Sequence, residues 1–202
     1  MRMSEEASPI VTELIDSALI IRFNRPAERN PLSVEVLKEL DKILWSLTAS
    51  VEVRALIFTG TDDVFASGAN IRELAALTPE SAEAFSRFGQ ELCQRIADAG
   101  QLTIAAINGY CMGGAIDLAL ACKTRIASSN AVFAHPGARL GIITGWGGTQ
   151  RLPRLIGRTR ALKFFISARG ITSQEAFEMG LITRISDPVL ETALALGRET
   201  VG

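Results

Sequence analysis

The hydrophobic and polar positions at the start of the chain predict a β-hairpin followed by a surface helix. The segment IVTELIDSALIIRF contains two β runs, the second rich in β-branched residues, on either side of the turn pair Asp16-Ser17. After the loop NRPAERNPLS, Ser33 can cap a helix over VEVLKELDKILWSL. The apolar residues of this segment recur at helical spacing, at Val34, Leu37, Leu40, Ile43 and Leu44.

Apolar strands and amphipathic helices alternate along the rest of the chain. RALIFTG predicts a buried strand that ends at Gly60, and a loop through TDDVFASGANIREL leads to a helix over about residues 79–99. LTIAAING predicts the next strand, GGAIDLALAC a helix of small residues, and TRIASSNAVFAH two short strands. GWGGTQRLPRLIG predicts a glycine turn and a helix that Gly157 can end. The remainder is mainly helical, with Ser173 as a cap and a short strand over residues 182–185.

This alternation indicates an α/β fold with helices packed on a largely parallel sheet. The two β runs per helix near the start disagree with a strictly doubly wound sheet. A spiral of β-β-α units accommodates both observations. We expect residues 1–157 to form this spiral core and residues 158–202 to form a C-terminal helical segment.

Composition and charge narrow the classes of function. The chain has 202 residues, of which 48% are hydrophobic, and this is enough for one continuous core. Its net charge of -1 gives no general attraction to nucleic acid or to an anionic membrane. Acidic residues stand where a signal peptide needs basic ones, and no run is long and apolar enough to span a bilayer. We therefore expect a cytoplasmic protein without nucleic-acid or membrane partners.

The cysteines and the single histidine limit which metal sites and catalytic nucleophiles are possible. Cys93, Cys111 and Cys122 show no C-x-x-C spacing, and His135 alone cannot complete a zinc cluster with them, so we expect no metal and buried free thiols. A Ser-His-Asp or Cys-His nucleophile system would have to use His135 as its base.

A glycine-rich turn in INGYCMGGAIDLALAC is the first candidate site. Its glycines, at 109, 113 and 114, do not have the G-x-G-x-x-G spacing, and the G-K-[ST] ending of a P-loop is also missing. The turn either packs closely in the core or offers the free N–H groups of a helix start to an oxyanion. A second loop, FASGANIREL, places Gly68 and Ala69 after a strand, so a second N–H donor can converge with the first.

Three segments together resemble a known family. FASGANIREL, AAINGYCMGGAIDLALAC and FAHPGARLGIITGWGGTQRLPRLIG, in this order, are similar to the crotonase superfamily of enoyl-CoA hydratases and isomerases. The resemblance extends over about residues 9–186. It implies a β-β-α spiral, coenzyme A thioester substrates, and an enolate held by two backbone N–H groups, here those of Ala69 and Gly114.

The resemblance also implies a binding path for the substrate. The loops at residues 27–29 and 67–71 would line the adenine and pantetheine path, and Trp146 would shape the acyl pocket, although packing alone would also explain this tryptophan. The residues expected to contact substrate are Ala27, Arg29, Ser67, Gly68, Asn70, Ile71, Met112, Gly113, Pro136, Gly137 and Trp146. Coenzyme A is part of the substrate, so no separate cofactor is expected.

The two acidic positions of the family differ in this chain. Hydratases of the superfamily use two glutamates, and the matching positions here are Asp117 and Gly137. Asp117 can serve as acid and base but is shorter by one C–C bond, about 1.5 Å, or it merely complements the helix dipole. Gly137 carries no proton, so isomerisation, decarboxylation of a malonyl-type thioester and thioester hydrolysis stay open beside hydration. His135 either titrates near neutrality in this site or has no catalytic role.

The end of the sequence raises a last question. Family members continue through further C-terminal helices, whereas this sequence stops at Gly202, so we expect a shortened C-terminal helical region. The resemblance implies a homo-oligomer, a trimer or a hexamer. We predict an enoyl-CoA hydratase/isomerase in which Asp117 is the acid/base and in which Ala69 and Gly114 bind the thioester oxygen. The alternative is a non-catalytic CoA-binding subunit.

Overall fold

The computed structural model describes residues 8–47 and 52–199. Residues 1–7, which carry part of the acidic N-terminus, and residues 200–202 of the C-terminal segment lie outside the described residues. The described strands are β1 (Ile10–Ile15), β2 (Ala18–Phe23), β3 (Pro31–Leu32), β4 (Ala55–Thr59), β5 (Val64–Ala66), β6 (Gly68–Ala69), β7 (Leu102–Ile107), β8 (Tyr110–Met112), β9 (Thr124–Ala127), β10 (Val132–Ala134), β11 (Ile171–Thr172) and β12 (Arg184–Ile185).

The strands form a spiral of β-β-α units, as the sequence predicts. The first strand of each unit enters a six-stranded sheet with the order β1-β2-β4-β7-β9-β12, and all pairs from β2 onward are parallel. The second strand enters a four-stranded sheet with the order β11-β10-β8-β5. The chain therefore alternates between two sheets, and the short strands β3 and β6 pair as a separate two-stranded sheet.

The predicted hairpin is confirmed. Strands β1 and β2 pair antiparallel, with Ile15 opposite Ala18, so Asp16 and Ser17 form a two-residue turn. Asp16 has a φ of 54°, a left-handed conformation that aspartate tolerates better than most residues.

The helices follow the predicted pattern with small shifts. They are α1 (Val34–Ser46), α2 (Ile71–Ala75), α3 (Pro79–Ala97), α4 (Gly114–Ala121), α5 (Gly148–Ile156), α6 (Arg158–Ser167), α7 (Ser173–Glu178) and α8 (Val189–Glu199). Ser33 caps α1, because its hydroxyl accepts a hydrogen bond from the N–H of Val36.

The prediction of Ser173 as a helix cap is wrong by one residue. Thr172 is the N-cap of α7: its hydroxyl accepts from the N–H of Glu175, and the Glu175 carboxylate accepts from the N–H of Thr172. This reciprocal pair satisfies two backbone donors and is worth more than a single hydroxyl cap. Ser173 instead donates its hydroxyl to the carbonyl of Ser129 and ties α7 to the preceding turn.

Two segments expected to be loop or turn contain short strands. The loop TDDVFASGANIREL holds β5, β6 and α2, and the glycine turn holds β8. Runs of two or three residues carry no readable periodicity. They become strands because β5 and β8 pair in parallel. Gly109 permits this pairing, since a Cβ at that position would lie 1.7 Å from the carbonyl oxygen of Asp63.

The C-terminal segment completes both sheets. Strand β11 pairs with β10, and β12 pairs with β9. Helix α8 covers the other face of the six-stranded sheet, where Val189 and Ala193 pack against Ala18, Ala55 and Ile57. The division of the chain after residue 157 stays a prediction, and the later segment shares its sheets and core with the earlier one.

The expected buried thiols are confirmed. Cys93, Cys111 and Cys122 are free and buried, and burial raises the pKa of the Cys122 thiol to about 12. Within residues 8–47 and 52–199, no helix has the length and apolar character needed to cross a membrane. The same residues contain no cluster of three or more histidine, cysteine or acidic side chains able to hold a metal ion.

Candidate active site

The N-terminus of α4 forms one side of the site. Strand β8 leads through Gly113, at a φ of 54°, into the first helical residue, Gly114. The N–H of Gly113 donates to the carbonyl of Ala134, at 2.9 Å, and so joins this turn to the end of β10. As the first residue of a helix, Gly114 has no intrahelical acceptor for its own N–H.

Gly68 brings the second loop against this helix start. Gly68 has a φ of 88°, and a Cβ there would lie 2.6 Å from the carbonyl oxygen of Met112 and 2.8 Å from the nitrogen of Gly114. Its backbone therefore packs directly on the turn before α4. Ala69 is the next residue along the chain, so the segments that carry the two predicted N–H donors adjoin each other.

A cavity of about 500 Å³ opens in front of these two segments. Its walls are largely apolar and include Leu74, Leu77, Phe85, Leu140 and Ile143. A cleft of this size with few polar groups is typical of a small-molecule site. The predicted site residues that line it are Ser67, Ala69, Ile71, Gly113, Gly114, Asp117, Pro136, Gly137 and Trp146.

Asp117 is the buried carboxylate of the cavity. Its exposed fraction is 1%, and it lies in the first turn of α4. Oδ2 accepts hydrogen bonds from the hydroxyl of Thr144 and from the N–H of Trp146. Oδ1 has no hydrogen-bond partner. A buried polar atom without a partner is costly in a folded protein, and in a cavity it is available to a ligand.

Burial controls the charge of this carboxyl. It raises the pKa of Asp117 from 3.8 to about 6, and the hydrogen bonds from Thr144 and Trp146 oppose part of that rise. A pKa near neutrality suits a group that must both give and take a proton.

Asp117→Asn is expected to change how stability depends on pH. Because the folded-state pKa lies above the unfolded one, Asp117 favours the folded state fully below pH 3.8 and loses this contribution as pH rises through about 6. Relative to that of the native protein, the free energy of unfolding of the variant should therefore rise by about 3 kcal/mol between pH 4 and pH 8, at about 1.4 kcal/mol per pKa unit. Urea unfolding of both proteins at the two pH values measures the difference, and an equal difference at both would contradict the burial argument.

Trp146 packs between two helices at the wall of the cavity. A Cβ on Gly114 would lie 2.4 Å from its ring, and a Cβ on Gly89 of α3 would lie 2.1 Å from it. The ring of Phe85 is 5.5 Å away, centroid to centroid. Trp146 is therefore buried in the core and also forms part of the cavity wall, and its expected role in shaping an acyl pocket stays a prediction.

Five predicted site residues do not line the cavity. They are Ala27, Arg29, Gly68, Asn70 and Met112. Asn70 caps α2, the guanidinium of Arg29 lies over the ring of Tyr110 at 5.5 Å, and the backbone of Gly68 packs on the carbonyl of Met112. The expected contacts of these five residues with substrate stay predictions.

Sequence reasoning missed two residues that hold Asp117. Thr144 donates a hydrogen bond to the carboxylate. Gly148 leaves room for it, since a Cβ there would lie 2.1 Å from Asp117 Oδ1. Both lie in the glycine-rich segment around Trp146, and the glycines were the one sequence signal that could have pointed to these residues. The sequence of this segment does not show that the segment folds back onto α4.

Comparison with known proteins gives a family match and similar sequences. The sequence profile of the enoyl-CoA hydratase/isomerase family matches residues 14–201. A short-chain-enoyl-CoA hydratase of Clostridium acetobutylicum is 34% identical over 199 residues, which are 97% of this chain and 76% of that protein. A crotonyl-CoA hydratase of Syntrophomonas wolfei is 37% identical over 180 residues, which are 89% of this chain and 69% of that protein.

A solved structure gives the same result for the fold. The crystal structure of an enoyl-CoA hydratase from Bacillus anthracis superposes with a TM-score of 0.90 at 34% identity, covering 95% of this chain and 76% of that one. The fold and the profile match together define an α/β enzyme of the crotonase superfamily. The chain belongs to the enoyl-CoA hydratase/isomerase family and is an enoyl-CoA hydratase/isomerase-like enzyme.

Proposed function

We propose that this protein hydrates an enoyl-CoA thioester, or moves its double bond, through an enolate bound at the start of α4. The observation that carries the proposal is the buried carboxylate of Asp117. Its Oδ1 has no partner, and it lines the same cavity as Ala69 and Gly114. A proton donor and acceptor beside two backbone N–H groups is the combination that proton transfer at the carbon next to a thioester requires.

The thioester oxygen accepts hydrogen bonds from the N–H groups of Ala69 and Gly114 in this proposal. Negative charge develops on that oxygen as the enolate forms, and the N-terminal end of α4 favours it. Preorganised donors of this kind are worth about 10²–10³-fold in rate each. The close contact of Gly68 with the nitrogen of Gly114 supports the convergence of the two segments.

The acyl chain lies along the apolar walls, and the coenzyme A portion leaves toward residues 27–29 and 67–71. Ser67, Ile71 and Pro136 line the cavity, and they contact the substrate beside the thioester. Coenzyme A enters and leaves with the acyl group, so the reaction uses no other organic cofactor. The exposed side chains of Leu140, Ile142 and Ile143 border the cavity.

The first experiment tests the reaction itself. The purified protein is incubated separately with crotonyl-CoA, 3-butenoyl-CoA and methylmalonyl-CoA, and the products are separated by liquid chromatography against standards, which resolves the double-bond isomers, and identified by mass spectrometry. We expect a mass gain of one water from crotonyl-CoA, or conversion of 3-butenoyl-CoA to its α,β isomer. Loss of CO₂ from methylmalonyl-CoA or release of free coenzyme A would instead identify a decarboxylase or a thioesterase. Binding of all three thioesters without conversion would support the non-catalytic subunit.

The protein is proposed to act as a homo-oligomer, a trimer or a hexamer, in the cytoplasm. Large apolar side chains at the surface support association, because Leu162 and Ile166 of α6 and Ile143 are each more than half exposed. Light scattering after gel filtration should give three or six times the mass of one chain. A single-chain mass at micromolar concentration would contradict the proposal.

A further inference from the structure

The cavity contains a second buried polar group that the proposed chemistry has not yet used. His135 has an exposed fraction of 6% and lines the cavity together with Asp117. Among the buried side-chain nitrogen and oxygen atoms of the described residues, two have no hydrogen-bond partner, and they are Asp117 Oδ1 and His135 Nε2. Leaving a buried polar atom unpaired destabilises the folded protein. Because both residues line the same cavity, one polar ligand in it can contact the two side chains.

The backbone holds His135 beside the helix start. His135 follows β10, whose last residue, Ala134, accepts the hydrogen bond from Gly113. Its ring packs edge-on against Phe165, with the centroids 5.2 Å apart. The imidazole is therefore placed by packing on one side and by the turn that leads into α4 on the other.

The loop around Gly137 leaves no room for a side chain at that position. A Cβ on residue 137 would lie 2.7 Å from the carbonyl oxygen of Ile142 and 3.2 Å from Nδ1 of His135. The loop closes over this position, and the N–H of Ile142 donates to the carbonyl of Gly137 at 3.0 Å. This loop cannot carry a glutamate at position 137 without moving its backbone, and the imidazole ring packs into the space beside it.

The chemistry of the ring decides what it can bind. Burial lowers the pKa of His135 below its usual value, so the imidazole is neutral at pH 7. A hydrogen bond to its own backbone opposes this shift. A neutral imidazole carries one N–H, and when that proton is on Nδ1 the other nitrogen, Nε2, is an acceptor. In this tautomer the unpartnered Nε2 accepts from an O–H or N–H group of a ligand.

We propose that His135 Nε2 binds and deprotonates the water that adds to the enoyl thioester, and that in the product it accepts the hydrogen bond of the 3-hydroxyl. The inference rests on the proposed function and assigns its second acid/base group. An O–H donor satisfies Nε2 in both the substrate and the product complex.

His135 and Asp117 together account for every proton that moves in the hydration. One O–H bond of water breaks, its proton goes to Nε2, and the C–O bond forms at the β-carbon. The π electrons of the double bond move to the thioester oxygen as the enolate. Protonated Asp117 then gives its proton to the α-carbon and the thioester carbonyl re-forms. Transfer of the proton from His135 to Asp117 through solvent restores both groups, and the net change is the addition of one water.

The single histidine of the chain allows a direct test on the unaltered protein. Untagged protein labelled with ¹⁵N in its imidazole gives signals from His135 alone. We expect the Nε2 signal to move by several ppm with saturating 3-hydroxybutyryl-CoA and to stay within 1 ppm with butyryl-CoA, which lacks the hydroxyl. Equal responses to the two thioesters would overturn the proposal.

A second test separates hydration from enolate formation. His135→Gln should lower the rate of crotonyl-CoA hydration by about 100-fold, the lower end of what general acid–base catalysis contributes. Exchange of the α-protons of butyryl-CoA in deuterium oxide depends on Asp117 and the oxyanion donors, and should stay within about threefold. Arg139→Gln, an exposed change in the same turn, should alter neither rate.

The outcomes of this test are distinct. Equal losses of hydration and of exchange would show that His135 has only a structural role, and full hydration by His135→Gln would also overturn the inference. If the native protein exchanges α-protons but hydrates no enoyl-CoA, the inference fails while the enolate chemistry stands. If it does neither, the proposed function fails as well. Should His135→Gln not fold, the ¹⁵N measurement still decides.

Discussion

Asp117→Asn is expected to lower kcat for enoyl-CoA turnover by about 10³-fold, while the affinity for butyryl-CoA stays within about threefold. The amide has nearly the shape of the carboxylate but cannot exchange a proton, and a positioned acid/base contributes about 10²–10⁴-fold. The apolar walls and the backbone donors that hold the ligand are untouched. Steady-state kinetics and isothermal titration with butyryl-CoA measure the two effects separately.

A matched control isolates the role of this carboxylate. Asp98 is an exposed acid at the end of α3, and its carboxylate accepts a hydrogen bond from Gln94. Asp98→Asn removes the same charge at a residue that does not line the cavity of Asp117 and should leave kcat within twofold. Full turnover in Asp117→Asn would remove Asp117 from the reaction. Equal losses in both variants would point to net charge instead.

Gly68→Ala is expected to reduce kcat/KM by about 10²–10³-fold, the value of one oxyanion donor. The new Cβ would lie 2.6 Å from the carbonyl oxygen of Met112 and 2.8 Å from the nitrogen of Gly114. Both contacts are with backbone, which has no flexible end that can move aside. The φ of 88° adds strain of about 1–3 kcal/mol for a residue with a side chain. In the Gly68→Ala variant, the segments that carry Ala69 and Gly114 must therefore move apart.

The effect on the site has to be separated from the effect on folding. Circular dichroism and urea unfolding of Gly68→Ala establish that the variant is folded at the assay temperature, and kcat/KM is then compared with that of the native protein. Gly100→Ala is the matched control, since a Cβ there has no heavy atom within 4 Å. Native kcat/KM in folded Gly68→Ala would contradict an oxyanion site between these segments.

Local signals predicted most of the fold. The turn pair Asp16-Ser17 and the cap at Ser33 were readable because each depends on residues within four positions. The cap of α7 was misplaced because Ser173 is an equally good cap by composition. The reciprocal bond to Glu175 and the contact of Ser173 with Ser129 decide between the two.

The candidate site was predictable in its parts and not in its assembly. Gly114 and Asp117 share one helical turn, so their proximity follows from helix geometry. Ala69 is 45 positions from Gly114, and the sequence linked the two loops only through their shared position after a strand and through the resemblance to a family. The contact that joins them, from Gly68 to the nitrogen of Gly114, exists because β6 pairs with β3 and lies against α4.

The sequence by itself determined the alternation of strands and helices, the family, and the acid available for chemistry. Tertiary structure alone decided the state of that acid. Its hydrogen bonds come from Thr144 and Trp146, 27 and 29 positions away, and its raised pKa comes from burial that no neighbour in sequence provides. The same holds for His135, whose unpaired Nε2 appears only once β10, α4 and α6 pack together. Hydrogen-bond partners and solvation depend on distance in space, and local sequence patterns record distance along the chain.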